Sequence, residues 1–222
     1  MKKNALEVQV NTSTERALKF FDNGDTKVEK RNVLLHSCCG PCSTACIERL
    51  LPDFHVTIFY YNPNITDRDE YEKRKENQIK FITEYNKNLN VEDQVSFIEG
   101  EYIPEDFFEK AKGLEDEPEG GKRCTECFKL RLERTAQVAK ESGFSIFGTT
   151  LTVSPHKNYT LISLIGTEIS KAYNLEFLDM DFKKKDGYRR STELSKEYEL
   201  YRQNYCGCEF SKWFLKEENN AK

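Results

Sequence analysis

Residues 32–61 read NVLLHS, then CCGPC, then STACIERLLPDFHVTIFYY. Asn32–Ser37 is a short apolar run that predicts a strand. Gly40-Pro41 breaks it, and Ser43–Leu51 continues at helical spacing. His55–Tyr61, rich in β-branched and aromatic residues, predicts a second strand. A strand, a helix and another strand in close succession form a βαβ unit, whose two strands must run parallel. Cys38, Cys39 and Cys42 fall where the first strand hands over to the helix. Open parallel sheets bind ligands beyond that end of their strands.

The same alternation extends outward along the chain. Asn62-Pro63-Asn64 stops the second strand, and a charged helix is expected from about Asp67 to Asn88, followed by a strand over Gln94–Ile98. Pro104–Lys112 predicts a helix with Pro in its first turn, where a missing N–H costs least. From Cys124, the residues Phe128, Leu132, Ala136 and Ala139 recur at helical spacing and carry a helix to about Glu141. Strands follow at Phe144–Leu151 and Leu175–Leu178, with a helix over Asn158–Tyr173 between them. Ser191–Arg202 and Phe210–Glu217 are the last two expected helices. The expected class is therefore α/β, a mostly parallel three-layer sandwich with a C-terminal helical segment. Residues 32–222 read as a single domain, and residues 1–31 as an extension without an assigned role.

Composition narrows the function classes. The chain has 222 residues, 37% hydrophobic and 32% charged, with a net charge of −4. Its 12% aromatic content, including 15 Phe and 11 Tyr, supplies buriable area that a disordered chain lacks. No apolar run approaches the roughly 18 residues of a membrane span. Glu7 and the polar stretch Asn11–Arg16 deny Met1-Lys2-Lys3 the apolar core of an export signal, so a soluble cytoplasmic location is expected. There is no GxGxxG and no Walker-type loop, which argues against nucleotide chemistry.

Eight cysteines carry the functional signal. They fall into Cys38, Cys39, Cys42 and Cys46, then Cys124 and Cys127, then Cys206 and Cys208. Such clustering in an intracellular chain points to metal or redox chemistry rather than disulfide staples. Cys39-Gly40-Pro41-Cys42 by itself matches a thioredoxin-type dithiol at a helix start, but that reading leaves the two later pairs idle. Cys124-Thr125-Glu126-Cys127 and Cys206-Gly207-Cys208 are two-ligand hooks, able to hold zinc or an iron–sulfur cluster. Cys46, inside a helix, reads as a packed thiol. A single zinc or a single [4Fe–4S] cluster takes four ligands, fewer than the seven remaining thiols. Consecutive side chains in an extended segment point apart, so Cys38 and Cys39 are expected to serve different, neighbouring centres.

The other polar candidates are more ambiguous in role. His36, within the first strand, and His55 read as structural. His156, in Ser154-Pro155-His156-Lys157-Asn158, suits helix capping or substrate contact. Lys122-Arg123, Lys183-Lys184-Lys185, Arg189-Arg190 and Arg202 recur beside the later cysteines. They form a candidate positive collar for phosphates on a net-negative protein. Tyr188, Tyr201 and Tyr205 interleave with it and offer faces on which a base can stack.

In this order, His36-Ser37-Cys38-Cys39-Gly40-Pro41-Cys42, Tyr61-Asn62-Pro63-Asn64-Ile65, Arg123-Cys124-x-x-Cys127, Thr149-Thr150-Leu151 with Ser154-Pro155-x-Lys157-Asn158, and Tyr201-Arg202-Gln203-Asn204-Tyr205-Cys206-Gly207-Cys208 resemble the QueH family of epoxyqueuosine reductases. The resemblance runs from about residue 32 to 215. It implies a cobalamin-independent oxidoreductase that performs the last step of queuosine synthesis on tRNA, reducing the epoxide of epoxyqueuosine to the alkene. It also implies a Rossmann-like fold related to the adenine nucleotide hydrolases, a [4Fe–4S] cluster and a second, mononuclear iron. On that resemblance, Cys124, Cys127, Cys206 and one of Cys38 or Cys39 hold the cluster. The other of that pair, with Cys42 and Cys208, holds the iron, and Cys39, Cys42 and Cys208 count as the catalytic thiols. Tyr61, Asn62, Asn64, Lys157 and Asn158 are expected to line the base pocket, with Tyr201 and Arg202 on the anticodon. The implied partners are the modified tRNA and an external one-electron donor, with the protein a monomer. The rival readings are a thiol–disulfide oxidoreductase using Cys39 and Cys42, and a non-catalytic zinc module that binds RNA.

Overall fold

The computed structural model describes residues 29–211. Five strands form one sheet in the order β3-β2-β1-β4-β5: β1 is Arg31–His36, β2 Phe54–Tyr60, β3 Ser96–Glu99, β4 Ile146–Thr149 and β5 Glu176–Phe177. Every pairing is parallel. Among the described residues, five α-helices lie between strands, α1 Gly40–Leu50, α2 Arg68–Asn86, α3 Pro104–Ala111, α4 Lys122–Glu141 and α5 Tyr159–Tyr173, and α6 Gly187–Glu197 follows β5. The expected three-layer α/β class is the observed one. No helix among the described residues is long and apolar enough to cross a membrane.

Alternation along the central strand builds both cores. Val33 and Leu35 face one side, where they pack with Ile47 and Leu50 of α1, Phe81 of α2 and Ile58 of β2. Leu34 faces the other, with Phe147 of β4 and Ala136 and Ala139 of α4. All these side chains are essentially fully buried. Burial of each Val, Leu, Ile or Phe among them stabilises the fold by about 1.5–3 kcal/mol. Because β1 pairs with both β2 and β4, the strand order reverses beside it. The loop Ser37–Cys39 therefore leaves the sheet at its switch point, where open α/β sheets form their ligand crevice.

Element boundaries differ from expectation in three places that matter for the site. First, α1 begins at Gly40, not Ser43, with Pro41 in its first turn and Cys39 at the N-cap. Second, the fourth strand ends at Thr149, whose hydroxyl accepts the Leu151 N–H at 3.2 Å and turns 150–153 into a tight 3₁₀ coil. Third, the last described helix spans Gly187–Glu197 rather than Ser191–Arg202. Arg202 lies beyond it and folds back, donating to the Ser191 carbonyl at 3.3 Å and the Ser195 hydroxyl at 3.0 Å. The segment 1–28 and all but the start of the closing helix expected at Phe210–Glu217 lie outside the described residues.

Candidate metal and redox centre

His36 ends β1 fully buried. Its Nε2 lies 3.1 Å from the Tyr61 carbonyl oxygen, which can only accept, so Nε2 carries the proton. Nδ1 then accepts from the Thr149 hydroxyl at 3.0 Å. Burial, aided by the nearby Arg131 charge, pushes the imidazole down to about 3, so it stays neutral and structural. Beyond it, the Ser37 hydroxyl donates to Gln78 Oε1 at 2.7 Å, and Gln78 Nε2 donates to the Ser43 hydroxyl at 2.8 Å. One buried glutamine of α2 thus pins both flanks of the cysteine loop.

Within that loop, Cys38 and Cys39 do not diverge as expected. Their sulfurs are 3.9 Å apart, and the sulfurs of Cys38, Cys39 and Cys42 all lie within 4.8 Å of one another. The correction has a backbone cause. Opposed side chains require a continuing strand, but β1 ends at His36 and the chain bends at Cys38, before the extended N-cap residue Cys39 (φ −174°, ψ 158°). Hydrogen bonds from the Cys38 and Cys42 thiols hold the Cys39 thiol well below the usual range, helped by Arg74 and Gln203. Gln203 Nε2 reaches Cys39 Sγ at 3.1 Å. Cys46 instead packs in the core with Ile47 and Leu50. All eight cysteines are free thiols.

The other two hooks meet at a second point. Cys124 and Cys127 sit in the first two turns of α4, and the Gly120 N–H donates to Cys124 Sγ at 3.2 Å. Arg123 anchors the preceding acidic loop by donating to the carbonyls of Leu114 at 3.0 Å and Glu115 at 2.8 Å. Arg74 of α2 holds the last hook through the carbonyls of Tyr205 and Cys206. Cys124, Cys127, Cys206 and Cys208 then line one enclosed pocket, walled by Phe107 and Phe128. A hydrogen bond from the Cys208 thiol, with Lys157 nearby, carries the Cys206 thiol well below its usual range.

An open cleft of about 490 Å³ joins the two thiol groups, with Cys38, Cys42 and Cys206 in its wall. Lys157 links the cleft to the second pocket: its Nζ is 3.1 Å from Glu119 Oε1 and 3.2 Å from Cys206 Sγ. Burial alone would push this lysine down, but the Cys206 sulfur and Glu119 carry it up. Glu119 also accepts from the Ser211 hydroxyl at 3.1 Å.

Of the expected substrate residues, Lys157 and Arg202 line this cleft and Asn64 lines the thiol pocket. Tyr61, Asn62, Asn158 and Tyr201 do not line the cleft. Tyr61 is buried against Phe59, with its hydroxyl 3.3 Å from Asp106. Asn62 donates to the Ser37 carbonyl at 2.9 Å. Asn158 caps α5 by accepting the Leu161 N–H. Tyr201 bonds Glu70 beneath the Lys73 ammonium. His156 faces the cleft, as do Glu119 and Arg131, which lie outside the quoted motifs, and Gln203, which stands in the last motif without an assigned role. Arg131 had a legible signal: it shares a helix face with Cys124 and Cys127, seven and four residues earlier.

The sequence pattern of the family described as "Epoxyqueuosine reductase QueH" matches residues 33–213, a stretch that includes all seven site cysteines. Curated relatives that carry that same name include these three. The Streptococcus pyogenes serotype M1 protein is 44% identical over 180 residues, covering 81% of this chain and 70% of its own. That of Staphylococcus epidermidis is 44% identical over 195 residues, covering 87% and 81%. That of Thermotoga maritima is 40% identical over 185 residues, covering 81% and 89%.

Proposed function

The chain belongs to the epoxyqueuosine reductase QueH family, and on that footing we propose that it reduces the epoxide of epoxyqueuosine in tRNA to the alkene of queuosine. The reaction consumes two electrons and two protons and releases the epoxide oxygen as water. The observation that carries the reading is the convergence of seven thiols on two adjoining sites that share one cation-lined cleft.

The thiol sets fit the implied groups by number and kind. Four soft ligands line the pocket of Cys124, Cys127, Cys206 and Cys208, the complement that a [4Fe–4S] cluster takes. Cys38, Cys39 and Cys42 make a three-thiol set within 4.8 Å, which leaves a metal ion an open position. This grouping is favoured over a division that splits Cys38 from Cys39 and moves Cys208 to the iron, because it follows the observed proximities. When bound, cluster and iron supply single electrons, relayed from an external donor, and Lewis acidity.

The chain's own residues do the rest. Buried Phe107 and Phe128 wall the pocket in which Cys124, Cys127 and Cys208 are buried, and Cys206 also opens on the cleft. Lys157 and Arg202 place positive charge on the cleft for an anionic substrate, and Tyr188 and Tyr205 offer rings at its wall. Gln203 and Arg74 orient the Cys39 thiol and the last hook.

A thiol–disulfide exchange reading is disfavoured by Cys39, which has no exposed surface for a partner disulfide to reach. A lone structural zinc leaves three of the seven thiols without a role. The test is anaerobic purification with iron and sulfide counts, then assay on tRNA bearing epoxyqueuosine with mass spectrometry of the nucleosides. About four sulfides and more than four irons per chain are expected, with conversion to queuosine. Colourless zinc protein without conversion would overturn the reading. Cys208→Ala is expected to remove the cluster absorbance and Cys38→Ala to spare it; the reverse would restore the split division.

A further inference from the structure

Three arginines are buried among the described residues. Arg74 is paired with Glu70 at 2.6 Å, and Arg123 donates through Nη1 to carbonyls of the acidic loop and lies over the Phe210 ring, 4.6 Å from its centre. Arg131 differs. It is 1% exposed, its Nε donates to the Cys127 carbonyl at 3.2 Å, and its Nη2 is buried without a hydrogen-bond partner among the described residues. No carboxylate lies within salt-bridge distance of it there. A buried guanidinium without an anion is costly to the fold, so a charge of opposite sign is expected at the place it faces.

That place is defined by the side chain's surroundings. Arg131 lines the four-thiol pocket together with Cys124, Cys127, Cys206 and Cys208, and it also lines the cleft beside Cys38 and Cys42. It is the only arginine lining both among the described residues. Resting on the cluster reading above, we infer that Arg131 is the fixed countercharge shared by the two thiol-held centres and sets the reduction potential of the cluster. A cluster held by four thiolates is anionic and gains a further negative charge on reduction. A fixed cation at its edge, in a medium of low dielectric constant, stabilises the reduced form more than the oxidised one and raises the potential. In this role Arg131 is a tuning residue, acting through the charge it holds beside the thiols.

The experiment is a redox titration, followed by electron paramagnetic resonance, of the parent, Arg131→Met and Arg131→Lys. Iron, sulfide and circular dichroism are measured on each. Arg131→Met, close in volume and uncharged, is expected to have a more negative potential than the parent, and Arg131→Lys to remain near it. A folded Arg131→Met that assembles no cluster while Arg131→Lys does would support the same countercharge role. A loaded Arg131→Met with the parent potential overturns the inference and leaves the cluster reading standing. Loss of folding in both variants also overturns it, in favour of a packing role. A parent without sulfide overturns the cluster reading and the inference together.

Discussion

Arg74 Nη1 donates to the Cys206 carbonyl oxygen at 3.0 Å, joining the middle of α2 to a hook cysteine 132 residues further along the chain. The same guanidinium reaches the Tyr205 carbonyl at 3.3 Å and Glu70 at 2.6 Å, and Glu70 in turn accepts the Tyr201 hydroxyl. One buried cation therefore fixes the segment that brings Cys206 and Cys208 back to α4.

Arg74→Ala strands Glu70 and two carbonyls in a buried setting. A cost of about 3–5 kcal/mol is expected, read by denaturant unfolding, together with reduced iron per chain. Arg74→Lys keeps the charge but cannot serve three acceptors in one plane, so its iron content should fall between the parent and the Ala variant. Parent-like iron in Arg74→Ala would show that the hook finds its place without this anchor.

Gly207 tests the same segment from the other side. Its φ of +116° is one that side-chain-bearing residues rarely adopt, and a Cβ there would meet Ile65 Cγ1 at 2.9 Å and Arg74 Nη1 at 3.0 Å. Gly207→Ala is expected to destabilise the protein by about 1–3 kcal/mol and to lower the sulfide count. An unchanged unfolding midpoint and metal content would mean that the hook tolerates another path.

These two contacts mark the limit of what the chain reveals as text. The runs at Val33–Leu35 and Val56–Tyr60 declare strands because a central parallel strand is apolar on both faces. The cysteine spacing points to a candidate metal or redox centre, because two thiols two or three residues apart can face one ion. The near approach of Cys38 to Cys39 was not legible, since alternation describes a strand and the chain already bends at Cys38. Nor could sequence separate Asn158 as a cap from Asn158 as a ligand, because the same motif position serves both. Glu119 and Gln203 gain their meaning from partners far along the chain, at Lys157 and Cys39, and no local pattern encodes those contacts.

Cys46 gives a control for the thiol assignment. It is fully buried beside Ile47 and Leu50, and its thiol donates to the Cys42 carbonyl at 3.3 Å. Cys46→Ala should cost about 1–2 kcal/mol for the small cavity and leave iron and sulfide counts at the parent value. Lost iron in a folded Cys46→Ala protein would move Cys46 from the core into the ligand set.

Arg202 decides whether the cleft holds nucleic acid through its charge. It lines the cleft, its guanidinium lies 5.6 Å from the Tyr188 ring centre, and it is held by Ser191 and Ser195. If that guanidinium neutralises a phosphate, Arg202→Gln should weaken binding of an anticodon stem-loop at low salt. It should also reduce the slope of log affinity against log salt by about 1. Fluorescence anisotropy over a salt series reads both quantities. Weaker binding with an unchanged slope would mean that Arg202 acts through the end of α6, by closing the cleft wall, and not through contact with the RNA backbone.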